Sequence, residues 1–140
     1  MEAIPRGHTK AEIKAREKLI KDFFVKWVTE HPEKRVWNKD LVAFIHVKFL
    51  SINETYEKAA RNYKSTNAVF QLTNILEGAV KNGVQPTKRN VVNQKKFEKM
   101  IIITFGDVKL TVGLQRLSQE YVLYCITVPS APVKKQPSQK

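Results

Sequence analysis

Past Lys99 the hydrophobic pattern of this chain changes period, from the roughly 3.6 residues of a helix to the 2 of a strand. The switch constrains the fold strongly, because a helical stripe cannot lie flat in a sheet and an alternating one cannot face one way on a helix. It predicts an α+β domain with about four N-terminal helices, followed by a three-stranded antiparallel β-meander packed on them. The meander reads as a strand over 100–105, a tight turn at Gly106-Asp107, a strand over 108–116 and a third over 121–128.

Upstream, Thr9 followed by Glu12 is a capping-box pattern. It opens an amphipathic helix with Ile13, Leu19, Ile20, Phe23, Phe24, Trp27 and Val28 on one face, ending near His31-Pro32. Asn38 and Asp40 read as the start of a second helix, apolar nearly all round from Leu41 to Leu50. After a break over 51–53, Asn53 can cap a third helix over 54–63. Ser65 or Thr66 can cap a fourth, stopped by Gly83. Trp27 and Trp37 read as core or staple residues. The domain is then 9–128, with a flexible start over 1–8, helices over 9–80, a basic linker over 81–99 and the meander over 100–128. The Pro-, Ser-, Gln- and Lys-rich segment 129–140 reads as a disordered tail.

Even-length turns assign every meander residue to a face. Phe105 opposes Val108 and Ile101 opposes Val112, while a loop around Ser118-Gln119 sets Leu114 against Leu123 and Val112 against Cys125. One face is then apolar, including Cys125 as an inert buried thiol. The other is mixed: Met100, Ile102, Thr104, Lys109, Thr111, Gly113, Gln115, Val122, Tyr124 and Ile126. That face is either an ordinary open surface partly covered by the linker or a helix, or a nucleic-acid groove. In the groove reading Lys109, Thr111 and Tyr124 form the floor, and Tyr124 can stack on a base.

Charge favours the second use. The net +12 is distributed as +2, +2, +5, 0 and +3 over 1–30, 31–80, 81–99, 100–128 and 129–140, so two thirds of it lies in linker and tail. An unopposed basic segment repels itself and attracts polyanions. Lys88, Arg89, Lys95, Lys96 and Lys99, with Gln115 on the mixed face, are the candidate nucleic-acid contacts. RNA is weakly favoured over DNA, and an acidic protein partner is the alternative for the same charge.

Other classes find little support. No apolar run approaches the roughly 18 residues of a membrane span, and the first residues show no secretory pattern. The one cysteine, Cys125, allows no internal disulfide, and His8, His31 and His46 are scattered, without metal-site spacing. His46, in the apolar second segment, reads as a core histidine. No phosphate-cradling glycine loop, nucleophile elbow or paired-carboxylate pattern is visible. The expectation is a cytoplasmic protein without a cofactor.

Several words along the chain carry a resemblance: Lys96-Phe97-Glu98-Lys99-Met100, Lys109-Leu110-Thr111-Val112-Gly113, Tyr124-Cys125-Ile126-Thr127 and, opening the fourth helix, Ser65-Thr66-Asn67-Ala68-Val69. Over residues 65–128 the chain resembles phage and mobile-element members of the barnase–EndoU–colicin–RelE-like nuclease superfamily. Its first 60 residues resemble an accessory helical region met on Bacteroidales mobile elements. The resemblance implies a helix-plus-sheet fold whose sheet face cleaves RNA without metal. Lys109, Arg89, Lys95 and Lys96 would hold phosphate, Thr111 would donate a hydrogen bond, and Tyr124 would act as acid or stacking partner. The chain departs from that pattern in having no histidine after His46 and no carboxylate on the mixed face. The functional expectation is a nucleic-acid-acting domain, with metal-independent ribonuclease activity as its enzymatic form. The alternatives are a non-catalytic DNA- or RNA-binding module and a basic protein-interaction adaptor.

Overall fold

The Thr9 cap forms as its spacing predicts: Glu12 N–H donates to Thr9 Oγ1 at 3.2 Å, and the Glu12 carboxylate accepts from Gly7 N–H at 2.8 Å. A computed structural model of the protein describes residues 3–85 and 94–129. Helix α1 (Lys10–Glu30) buries Ile20, Phe24 and Trp27 and ends at His31. Its Arg16, fully buried, donates to the carbonyls of Ala60, Pro5 and Gly7 at 2.7–2.8 Å, which pins the residues before α1 to the end of the next helix.

The next segment departs from the expectation. In place of a helix over 38–50, strands β1 (Arg35–Asn38) and β2 (Ala43–His46) form an antiparallel hairpin. Asn38 does not cap a helix. Its side-chain oxygen accepts from Leu41 N–H at 2.7 Å, closing the turn, while its amide nitrogen donates to the Leu76 and Ala79 carbonyls. A short apolar run rich in aromatic and β-branched residues suits a strand as well as a buried helix, and tertiary pairing decides.

Helix α2 (Phe49–Ala59) runs through the expected break, because Ser51 belongs to its first turn and bonds Lys48 N–H and the Leu123 carbonyl. Asn62, not Ser65 or Thr66, caps α3 (Tyr63–Val69), accepting from Ser65 N–H at 2.7 Å. A short α4 (Leu72–Gly78) follows. Gly83 lies inside strand β3 (Val80–Gln85), where the register shifts, and does not end a helix. The basic linker is therefore not one loop: β3 occupies its beginning and β4 (Phe97–Phe105) its end.

With β5 (Val108–Gln115) and β6 (Tyr121–Thr127), the sheet has six strands in the order β1-β2-β6-β5-β4-β3. The three-stranded meander is its β4-β5-β6 portion. The sheet is mixed because β2 runs parallel to β6, pairing Ile45 with Tyr121 and His46 with Val122. Curling brings the β1–β2 turn to the far edge strand, where Lys81 N–H donates to Asp40 Oδ2 at 2.7 Å.

The β4–β5 register is the expected one. Between β5 and β6 a bulge at Thr111/Val112 sets Val112 against Leu123 and Thr111 against Cys125. One extra residue flips everything beyond it to the opposite face. Ile126 thus joins the main core with the helices, while Cys125 joins a second cluster with Phe97, Met100, Val122 and Tyr124. Gly113 is required there, since a Cβ would sit 2.6 Å from the Phe97 ring.

Candidate functional site

The face of the sheet away from the main core is wider than the meander supplies. Cross-strand partners share a face, so His46 stands beside Val122 and opposite Arg35, and Trp37 stands opposite Phe44. The hairpin that sequence pattern assigns to a helix therefore adds Arg35, Trp37, Phe44 and His46 to the outer face.

Three charged or titratable side chains meet at the β2–β6 junction. His46 Nε2 lies 3.3 Å from Glu120 Oε2, and Lys48 Nζ lies 3.1 Å from Glu120 Oε1. Lys48 also donates to Gln115 Oε1 at 3.3 Å, and Ser118 Oγ donates to the same oxygen at 2.8 Å. The carboxylate absent from the mixed face at the level of sequence thus arrives from the β5–β6 turn.

Local structure fixes each member. Val47 N–H donates to Lys34 O, and Lys48 leaves β2 extended, its N–H donating to Ser51 Oγ at 2.9 Å. The turn after β5 closes through Gln115 N–H to Glu120 O and Gln119 N–H to Gln115 O, with Gln119 left-handed at φ 59°. His46 and Lys48 line a cleft of about 420 Å³, with Lys34, Val28 and Ile52 among its walls and Phe49, 77% exposed, at its rim.

Burial pushes His46 below the ordinary imidazole value, and the Lys48 and Arg35 charges act in the same direction; the Glu120 carboxylate opposes them without prevailing. The imidazole is therefore neutral near pH 7. The hydrogen bond from Lys48 holds Glu120 below the usual carboxylate range against the effect of desolvation. A neutral imidazole oriented by an ionised carboxylate, beside a cation, is an arrangement competent for general acid–base chemistry.

The sequence-predicted residues fall in different surroundings. Lys109 and Thr111 share the outer face of β5, both half-buried, paired with Thr104 and Thr127 and with Ile102 and Cys125 respectively. Tyr124 is the extra residue of the bulge and only 3% exposed. Its hydroxyl donates to Glu54 Oε1 at 2.9 Å and also bonds Gln94, and Lys58 Nζ sits 5.1 Å from its ring centroid. Burial pushes its hydroxyl up to about 12. Gln115 joins the His46 cluster. Lys95 and Lys96 are exposed, and Lys99 is half-buried on β4 opposite Leu114. Lys88 and Arg89 lie outside the described residues.

Sequence reasoning missed His46, Lys48, Glu120 and the Trp37–Phe44 pair. The available signal was alternation: Val36 and Asn38 point inward and Arg35 and Trp37 outward, just before a turn. Trp27 is core as expected, 3% exposed, but Trp37 is 45% exposed.

Among the described residues no group of three His, Cys, Asp or Glu side chains could hold a metal ion, and no helix is long and apolar enough to cross a membrane. The family described as large polyvalent protein-associated domain 3 matches residues 11–119 of this chain. No curated protein and no solved structure matches it.

Proposed function

Because this chain belongs to the large polyvalent protein-associated domain 3 family, we propose that it is a nucleic-acid-acting domain of a phage or integrated mobile element, cleaving RNA without metal at the His46–Glu120–Lys48 junction. The family supports the phage or mobile-element setting; the reaction rests on the chemistry of the site. The carrying observation is that an imidazole and an ammonium lie 3.3 and 3.1 Å from the two oxygens of one carboxylate on the outer face of a sheet, in a chain of net charge +12.

In this reading the His46 nitrogen not facing Glu120 removes the ribose 2′-hydroxyl proton. The 2′-oxygen attacks the adjacent phosphorus, and the bond to the 5′-oxygen breaks. The imidazolium returns its proton to that leaving oxygen, so no external acid is consumed. Glu120 holds the imidazole in place, and Lys48 with Arg35 stabilises the pentacoordinate phosphate. Lys95, Lys96 and Lys109 add sequence-independent affinity for the backbone.

The test is labelled RNA incubated with pure protein and EDTA, read for both mobility shift and cleavage. Cleavage that survives the chelator and disappears in His46→Ala supports the proposal; intact RNA after prolonged incubation sinks it. A non-catalytic binding module is the second reading, favoured because Glu120 and Gln115 already satisfy Lys48. It is distinguished by a salt-sensitive shift with no cleavage.

A further inference from the structure

The β1–β2 hairpin carries an exposed aromatic surface that the proposed cleavage does not use. Trp37 and Phe44 are a cross-strand pair with ring centroids 5.1 Å apart at 79°. The Arg35 guanidinium lies 3.9 Å from the Phe44 ring centroid. Trp37 is 45% exposed, whereas Trp27 is buried and bonded through its indole nitrogen to Thr73. Trp37 is held in the sheet by the pairing of its backbone segment with Phe44, and its indole is the exposed part of the pair.

Lys34, Arg35 and Lys39 are exposed on or beside the hairpin. Carboxylates stand among them: Glu33 sits 3.9 Å from Arg35, Asp40 accepts the Lys81 N–H, and exposed Glu77 accepts the Lys39 N–H through its backbone carbonyl. An aromatic face with a guanidinium beside it and lysines around it matches a nucleobase joined to a phosphate. The turn carrying it holds Val42 at φ 52°, a strained conformation for a β-branched residue, and leaves that side chain 68% exposed.

We propose that Trp37, with Phe44 and Arg35, forms a stacking site for one unpaired nucleobase, so that the ligand is a single strand and not a duplex. The site rests on the nucleic-acid reading given above but not on cleavage. A base stacked there places the strand on the face that also carries His46, Arg35's partner across the hairpin.

Trp27→Phe leaves Trp37 as the single tryptophan, and its fluorescence reports directly on the site. Titration in EDTA with a single-stranded RNA of about ten nucleotides is expected to quench it, and the matching duplex to leave it nearly unchanged. Trp37→Ala is expected to weaken single-strand affinity about tenfold without changing the slope of log affinity against log salt, because no charge is removed. Trp37→Phe should retain most of the affinity, and melting curves establish that both variants fold. His46→Ala, which abolishes cleavage in the proposed reaction, should leave the quench intact. Salt-sensitive binding without quench, equal quench by duplex, or unaltered affinity in a folded Trp37→Ala each overturns the site while leaving the nucleic-acid reading in place. Absence of any binding overturns both.

Discussion

His46 Nε2 and Glu120 Oε2 stand 3.3 Å apart, joining the end of β2 to the turn before β6. Both groups titrate lower in the folded protein than when exposed, His46 because burial outweighs the carboxylate beside it, Glu120 chiefly because Lys48 donates to it.

That relationship predicts how stability depends on pH. The unfolded chain takes up a proton at His46 more readily than the folded one, so this contribution is present above about pH 6.5 and is lost as pH falls through the folded value. Glu120 acts with the same sign: its contribution is present above about 4.5 and lost below. Urea midpoints measured from pH 8 to pH 3 should fall in two stages. His46→Gln should flatten the upper stage and Glu120→Gln the lower. An unchanged upper stage in His46→Gln would assign it to another group.

Cleavage should follow the same ionisation. A base that must be neutral gives an acid limb with its midpoint below 6.5 and a plateau above it. His46→Ala should lower kcat about 10²- to 10⁴-fold. Glu120→Gln should lower it less and shift the acid limb, since it removes the carboxylate facing the ring. Initial rates on a dinucleotide substrate in EDTA measure both.

Tyr124→Phe should act on stability more than on chemistry. Its hydroxyl is buried and committed to the Glu54 carboxylate, so losing it should cost about 1–2 kcal/mol. Chemical denaturation reads the cost and the RNA assay should remain near wild type. A folded Tyr124→Phe without cleavage would give Tyr124 a chemical role.

Gly113→Ala should destabilise by about 1–3 kcal/mol, because the new methyl meets the Phe97 ring at 2.6 Å. Adding Phe97→Leu should recover part of that loss, making the pair non-additive. Fully additive losses would show that the ring is not the obstacle.

Val42→Asn should raise stability by about 1 kcal/mol, since asparagine tolerates the left-handed φ of 52° that a β-branched side chain resists. Thermal melts measure the gain, and Trp37 fluorescence should be unaltered.

The parts of the fold legible in the sequence are those written in local pattern. The α1 cap is a contact between Thr9 and Glu12, and the β4–β5 pairing follows from a two-residue turn and alternation. The β5–β6 register is not local in that sense. Its bulge leaves Tyr124 unpaired against β5 and exchanges the faces of Cys125 and Ile126, and nothing in the continuous apolar run 122–126 marks where the extra residue falls. The run from Leu41 to Val47 has no period that separates a buried helix from a strand, and pairing with β6 decides the matter.

By itself, then, the sequence determined an α+β chain with a basic excess, the strands of the meander and an outer face bearing Lys109, Thr111 and Gln115. Only the tertiary structure decided that the sheet has six strands, and that His46 leaves the expected core to meet Glu120 and Lys48. The reason is physical. Period and capping are set by neighbours in sequence, whereas the parallel contact of β2 with β6 joins segments whose affinity exists only once both are held at the same edge.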